Sequence, residues 1–180
     1  SPDTGTITRN HDAAGNVVTQ TDARGVVAQM TYDGLNRLTK IDYPTNVDVT
    51  FGHDVGLYGS GRLTSISDES GVLSYEYNQN GKLTKKTFSA QAASPSFVKI
   101  VEYQYDAADR LVKIVYPSGN AVVLNYNTTG QLVALVGFGK TIASNIQYEP
   151  MGPAKSWLWA NGQTYNRSFD LSGRVSGFSN

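Results

Sequence analysis

Residues 105–120 read YDAADRLVKIVYPSGN. The stretch divides into a turn, a short apolar strand and a second turn. Asp106 follows an aromatic residue, where its side chain can take backbone N–H groups two residues on, as in an Asx-turn. Asp109 stands where such a turn needs a left-handed residue, a conformation Asp tolerates better than most types. At the far end Pro117 presets φ and Gly119 relieves the chain reversal. In isolation, Asp106 and Arg110 would pass for an acid–base pair.

The same word recurs. It appears at His11–Val17, Tyr32–Leu38, His53–Leu63 (with a four-residue insertion), Tyr77–Leu83, Tyr105–Leu111 and Tyr126–Leu132, and in weaker form at Tyr148–Ala154 and Phe169–Val175. Its aliphatic anchors are spaced by 21, 25, 20, 28, 21, 22 and 21 residues. A fixed period near 20 marks a repeat architecture. The recurring positions are Tyr32, Asp33, Arg37 and Leu38; Gly61, Arg62 and Leu63; Tyr77, Gly81 and Leu83; Tyr105, Asp106, Arg110 and Leu111; Tyr126, Gly130 and Leu132; Phe169, Asp170, Gly173 and Arg174. Asn36 and Asp109 take the turn-glycine slot in two copies. We read them all as structural anchors of one array spanning residues 1–180, with about eight repeats.

Between the turns the chain alternates. Leu73, Tyr75 and Tyr77 share one parity, Ser74, Glu76 and Asn78 the other. Val47, Val49, Phe51 and His53 oppose Asp48, Thr50 and Asp54, and Tyr165 and Phe169 oppose Asn166, Ser168 and Asp170. A period of two with one polar face predicts a half-buried antiparallel sheet. The second turn of each unit carries Gly, as in DARG (22–25), DESG (68–71), YPSGN (116–120) and ANG (160–162), and VGFGK (136–140) suits a hairpin turn. A unit of about 21 residues cannot bury its apolar face alone, so neighbours must stack. Eight hairpins amount to about 16 strands, or about 75 Å of sheet at about 4.8 Å per strand. A flat sheet of that length would be unusual, so a curved or spiralling all-β sheet of antiparallel hairpins is expected. Residues 89–99, SAQAASPSFVK, break the spacing and are expected to form a loop insertion within one repeat.

Composition agrees. Gly (18) and Tyr (11) are abundant among 180 residues, and charges balance at 15 basic and 15 acidic, so no nucleic-acid partner is indicated. The chain has no cysteine, which removes disulfides, thiolate metal sites and a Cys nucleophile. No apolar run reaches the ~18 residues of a membrane helix. The opening SPDTGTITRN enters in mid-pattern, and the end at SGFSN is equally abrupt, as expected of a fragment of a longer chain.

The words YDGLNRLTKIDYP, GRLTSI and YDAADRLVKIVYPSGN resemble the YD-repeat, or RHS-repeat, family, over nearly the whole chain and most weakly in 137–165. The resemblance implies a β-shell of spiralling hairpins around a hollow interior. It also implies a place in large secreted or cell-surface proteins: bacterial polymorphic toxins, the C component of insecticidal toxin complexes, and teneurins. In bacterial members the shell sequesters a C-terminal toxin. No Asp-Pro dipeptide is present, so the family's self-cleavage site does not carry over.

Active-site readings fare poorly beside structural ones. The Asp–Arg pairs Asp33/Arg37, Asp106/Arg110 and Asp170/Arg174 recur once per repeat, whereas an enzyme needs one site. They read as turn caps with exposed ion pairs of small value. His11 and His53 occupy the Tyr slot and read as packing substitutions, not metal ligands. GFGKT (137–141) lacks the first glycine of a phosphate loop. No catalytic residue, metal or cofactor is therefore expected. Trp157 and Trp159 share a parity and are the candidates for a glycan or partner contact, if that face is exposed. The expectation is a non-enzymatic structural segment that shields a toxin or passenger, and the alternative is a glycan- or protein-binding adhesive module. Partners are then the parent chain and its passenger. Unpaired edge strands predict self-association, as a dimer.

Overall fold

The computed structural model describes residues 5–90, 95–150 and 152–179. Among them there is no helix; the chain forms sixteen strands, hydrogen-bonded in sequence order in one open sheet. It divides into two compact units, Ser1–Ile100 and Val101–Asn180.

The first unit contains β1 (Thr8–His11), β2 (Val17–Thr21), β3 (Val27–Tyr32), β4 (Leu38–Asp42), β5 (Val49–His53), β6 (Leu63–Asp68), β7 (Gly71–Tyr77) and β8 (Leu83–Ala90). β9 (Phe97–Tyr105) runs across the division. The second unit continues with β10 (Leu111–Val115), β11 (Ala121–Tyr126), β12 (Leu132–Gly137), β13 (Lys140–Tyr148), β14 (Ala154–Trp159), β15 (Thr164–Phe169) and β16 (Val175–Ser179). Inside each unit neighbouring strands pair antiparallel.

Directly paired residues share a face, so the register tells the two faces apart. In the first unit Met30 pairs Ile41, Ile41 pairs Val49, Phe51 pairs Ile66, Ile66 pairs Leu73 and Leu73 pairs Phe88. On the opposite face Thr31 pairs Lys40, Lys40 pairs Thr50, Ser65 pairs Ser74 and Glu76 pairs Lys85. The second unit repeats the division: Tyr103, Ile114, Val122, Leu124 and Leu135 lie on the apolar side, Gln104 and Lys113 on the other. Burial is shallow: among the described residues the buried hydrophobic ones are Ala28, Ala90, Ala143 and Ile146, and no large side chain is fully enclosed.

At the first turn of every unit the ladder slips by one residue. His11 faces Val17, Tyr32 faces Leu38, His53 faces Leu63, Tyr77 faces Leu83, Tyr105 faces Leu111, Tyr126 faces Leu132, Tyr148 faces Ala154 and Phe169 faces Val175. These are β-bulges, which bend the strand and raise its local twist.

Two expectations need correction. The loop expected over 89–99 is shorter, because β8 runs to Ala90 and β9 starts at Phe97; residues 91–94 lie outside the described set. Alternation in Ser89 and Ala90 against β7 carries the strand further than the small, polar composition suggested. Val47, read as a strand residue, precedes β5 and is exposed. The turn after Tyr43-Pro44 holds it outside the ladder.

Candidate functional site

The chemistry of the chain is concentrated in its first turns. In the opening stretch, Asp106 Oδ1 accepts the N–H of Ala108 at 2.9 Å and of Arg110 at 3.0 Å. The Asp106 N–H donates to the Arg110 carbonyl, and the Asp109 N–H to the Asp106 carbonyl. Asp109 sits at φ 59°, Asn36 in the same slot at φ 59°, and glycine fills it at 15, 61, 81, 130 and 173. The acceptor design recurs at Asp12, Asp33, Asn78, Asn127 and Asp170, and also in the second turn at Asp22. Arg110 Nε closes back onto Asp106 Oδ2 at 2.7 Å. That bond, followed by the Arg110 and Ala108 N–H groups, holds the Asp106 carboxyl below its ordinary range. Such a carboxylate is an occupied acceptor and a poor proton shuttle.

The anchor aromatic does more than pack. Tyr32 Oη donates to the Val17 carbonyl at 2.9 Å, Tyr77 to Leu63 at 2.7 Å, Tyr126 to Leu111 at 3.0 Å and Tyr148 to Leu132 at 2.9 Å. Each bond joins one repeat to the aliphatic anchor of the repeat before it. His53 fills the same rung, with Nε2 2.9 Å from the Leu38 carbonyl. A carbonyl only accepts, so that nitrogen carries the proton. His53 is therefore a hydrogen-bonding equivalent of Tyr, which goes beyond the packing role read from sequence. The next repeat's anchor side chain thus donates to a carbonyl at the bulge.

The basic residue of the word also reaches forward. The Arg110 guanidinium lies 4.9 Å from the Tyr126 ring centre, and Arg62 lies 5.6 Å from that of Tyr77, both within cation–π range. Arg37 meets a histidine rung and takes a different partner. It holds Asp33 at 2.7 Å within its own turn, and Asp54 of the next repeat in a fork, at 3.0 and 2.6 Å. Arg37 and Asp33 side chains are each 23% exposed, so this pair is not the exposed one expected from sequence. The forked bonds from Arg37, and then the Gly61 N–H, lower the Asp54 carboxyl from 3.8 to about 2.

Its folded value is depressed, so the stabilisation from Asp54 is complete above its unfolded value of 3.8 and is lost as pH falls through about 2. The melting temperature should therefore drop on acidification over that window. Asp54→Asn should reduce the drop, read by circular dichroism melts at graded pH; an unchanged pH profile in the variant would contradict the clasp.

Trp157 and Trp159 do share a face, the apolar one, with their rings edge to face at 5.7 Å. Trp157 also packs on Tyr165 at 4.6 Å, and Tyr165 stacks on Phe178 at 6.3 Å. Arg167 lies over Trp157 at 4.8 Å and over Tyr165 at 5.6 Å. Only the ends of this strip are open: Trp159 is 40% exposed and Phe178 is 73% exposed. The Trp157 indole Nε1 is buried with no hydrogen-bond partner. In the first unit a cavity of about 800 Å³ opens between Tyr43, Val49, Asp68, Phe88 and Phe97. Among the described residues no group of His, Asp and Glu could hold a metal ion.

Residues 11–47 match the RHS Repeat family model, and residues 58–137 match the Teneurin YD-shell model. These two stretches carry the RHS/YD repeat. The YD-repeat chain is also similar in fold to solved toxin-complex structures at 17% identity. One is TcdB2-TccC3 without its hypervariable C-terminal region (TM-score 0.81), another is TcdB2-TccC3-TEV (0.78), and a third is the Photorhabdus luminescens Tc holotoxin pore (0.79). In each case 99% of this chain is covered and 10% of the other, so it spans about a tenth of those chains. Comparison with curated protein sequences finds no match.

The YD-repeat rung lacks its donor at Phe169. Phe169 stands 15 residues after Ala154, the interval at which Tyr32, His53 and Tyr126 bond, but has no donor. Phe169→Tyr should add the missing rung and raise unfolding free energy by about 1 kcal/mol, measured by denaturant titration. A loss of stability would mean that the slot lacks room for the hydroxyl.

The ladder was not anticipated from sequence. Its signal was there, as a Tyr or His 14 to 16 residues after five of the aliphatic anchors, Val17, Leu38, Leu63, Leu111 and Leu132.

Proposed function

We propose that this YD-repeat chain is one continuous wall segment of a larger shell, a non-enzymatic β-structure that encloses and shields a toxin or other passenger segment in an exported protein. What supports this reading above all is repetition. The polar chemistry of the turns is spent on backbone N–H groups, on carbonyls and on the neighbouring repeat, and it recurs from unit to unit. A catalytic constellation would stand out from the period; none does among the described residues. A sheet apolar on one side and rich in Ser, Thr and Lys on the other suits a wall better than a globular core.

Limited proteolysis of the full-length parent tests the proposal. The segment following the repeats should resist digestion in the intact protein and become cleavable in step with unfolding of the repeats. Digestion of that segment at its isolated rate while the repeats stay folded would refute shielding.

The exposed indole of Trp159 at the end of an aromatic strip favours a second reading, a surface that stacks on glycan rings. Glycan-array binding lost on Trp159→Ala would favour that module. An array with no hits, together with a shielded passenger, leaves the wall alone.

A further inference from the structure

The cavity of about 800 Å³ lies wholly in the first unit, beside the second turns of three successive repeats. Register explains its space. Asp68 pairs Gly71, and the pairing of Val72 with Ser89 sets Ala90 next in the same row. Paired residues share a face, and so do residues two apart on a strand. This row therefore continues the apolar side one step past Ile66, Leu73 and Phe88. Gly71 and Ala90 are too small to fill it.

The remaining walls are aromatic and anionic. Tyr43, Phe88 and Phe97 supply rings, with those of Phe88 and Phe97 centred 6.1 Å apart. Phe97 is 43% exposed, so its ring is open to a visitor. Cations are drawn to ring faces within about 6 Å, and Lys99 Nζ already stands 5.7 Å from the Phe97 ring centre. Two carboxylates, Asp68 and Glu69, are exposed at the rim, and neither is in an ion pair among the described residues. Asp68 Oδ1 accepts the Ser70 hydroxyl at 2.6 Å and the Ser70 N–H at 2.8 Å, and these bonds hold its carboxyl below the ordinary range. The rim thus stays negative at neutral pH.

We propose that this cavity binds a small organic ammonium ion with an aromatic body. The body lies among Tyr43, Phe88 and Phe97, and the ammonium faces Asp68 and Glu69. A cavity of this volume takes a whole small molecule. The carboxylates repel an anion, and a neutral body gains from burial alone. The site does not depend on whether the wall shields a passenger.

A methyl-resolved NMR titration of the 180-residue chain tests the site with three ligands of similar shape: phenethylammonium, phenethyl alcohol and hydrocinnamate. Phenethylammonium should shift the Val47 and Val49 methyls, which line the cavity, and saturate with a dissociation constant of about 1 mM, as expected of so few atoms. Phenethyl alcohol should bind about fivefold more weakly, the worth of one screened ion pair, and hydrocinnamate should not bind. In the double variant Asp68→Asn, Glu69→Gln the amine should fall to the level of the alcohol. Asparagine keeps an acceptor for Ser70, so the turn survives. Equal binding of amine and alcohol by the wild type, shifts spread along the apolar face, or a preference that persists in the double variant would each overturn the proposal. So would binding of acetyl-Phe-Lys-amide about tenfold tighter than the amine, since the occupant would then be a protein segment.

Discussion

Gly71→Ala should lower the unfolding free energy by about 3 kcal/mol, combining backbone strain of about 1–3 kcal/mol with overpacking of about 1–3 kcal/mol. Gly71 opens β7 at φ 144°, a conformation that side chains rarely adopt. A Cβ there would collide with the Ser89 carbonyl oxygen and lie 3.0 Å from the Ala90 Cα, both backbone atoms of β8. A backbone neighbour cannot swing aside as a side-chain end can. Gly119→Ala is the control: φ is 80°, but nothing lies within 4 Å of its added Cβ. It should cost about 1 kcal/mol, the left-handed penalty alone. Denaturant midpoints of both variants against wild type check the pair, and equal losses would rule out the close approach of β8.

Tyr77→Ala should be nearly as damaging, at about 3 kcal/mol, the low end of the range for removing an aromatic ring because the residue is only half-buried. Three contacts go at once: the 2.7 Å bond to the Leu63 carbonyl, the packing on the anchor row, and the Arg62 guanidinium 5.6 Å from the ring centre. Tyr77→Phe separates them. It keeps the ring and its cation partner and leaves the Leu63 carbonyl without its donor, so about 1 kcal/mol is expected. In an array stabilised through nearest-neighbour interfaces, the loss should be largest for the repeats on either side. Hydrogen exchange faster in β6 to β8 than in β14 to β16 would show that locality. A uniform increase would show that the array unfolds as one block.

Much of this architecture was legible in the chain. The recurring word placed all eight turns, and alternation assigned Leu73, Tyr75 and Tyr77 to the apolar face. Local chemistry decides these features: an Asp or Asn accepts N–H groups two and four residues on, and Asn36 or Asp109 can replace glycine at positive φ. Such rules act within a few residues, so sequence displays them. Residues 89–99 misled because small polar residues suit both a loop and a strand, and pairing of Ser89 with Val72 decided the matter.

What the sequence determined by itself, then, was the unit: its period, its two turns, its anchor positions and its apolar face. The tertiary structure alone decided how one unit holds the next. The hydroxyl of Tyr126 reaches a carbonyl 15 residues back, and Arg37 passes over a histidine rung to reach Asp54. Those partners are set by the one-residue slip of the ladder at each bulge, and the slip depends on how strands pair across repeats.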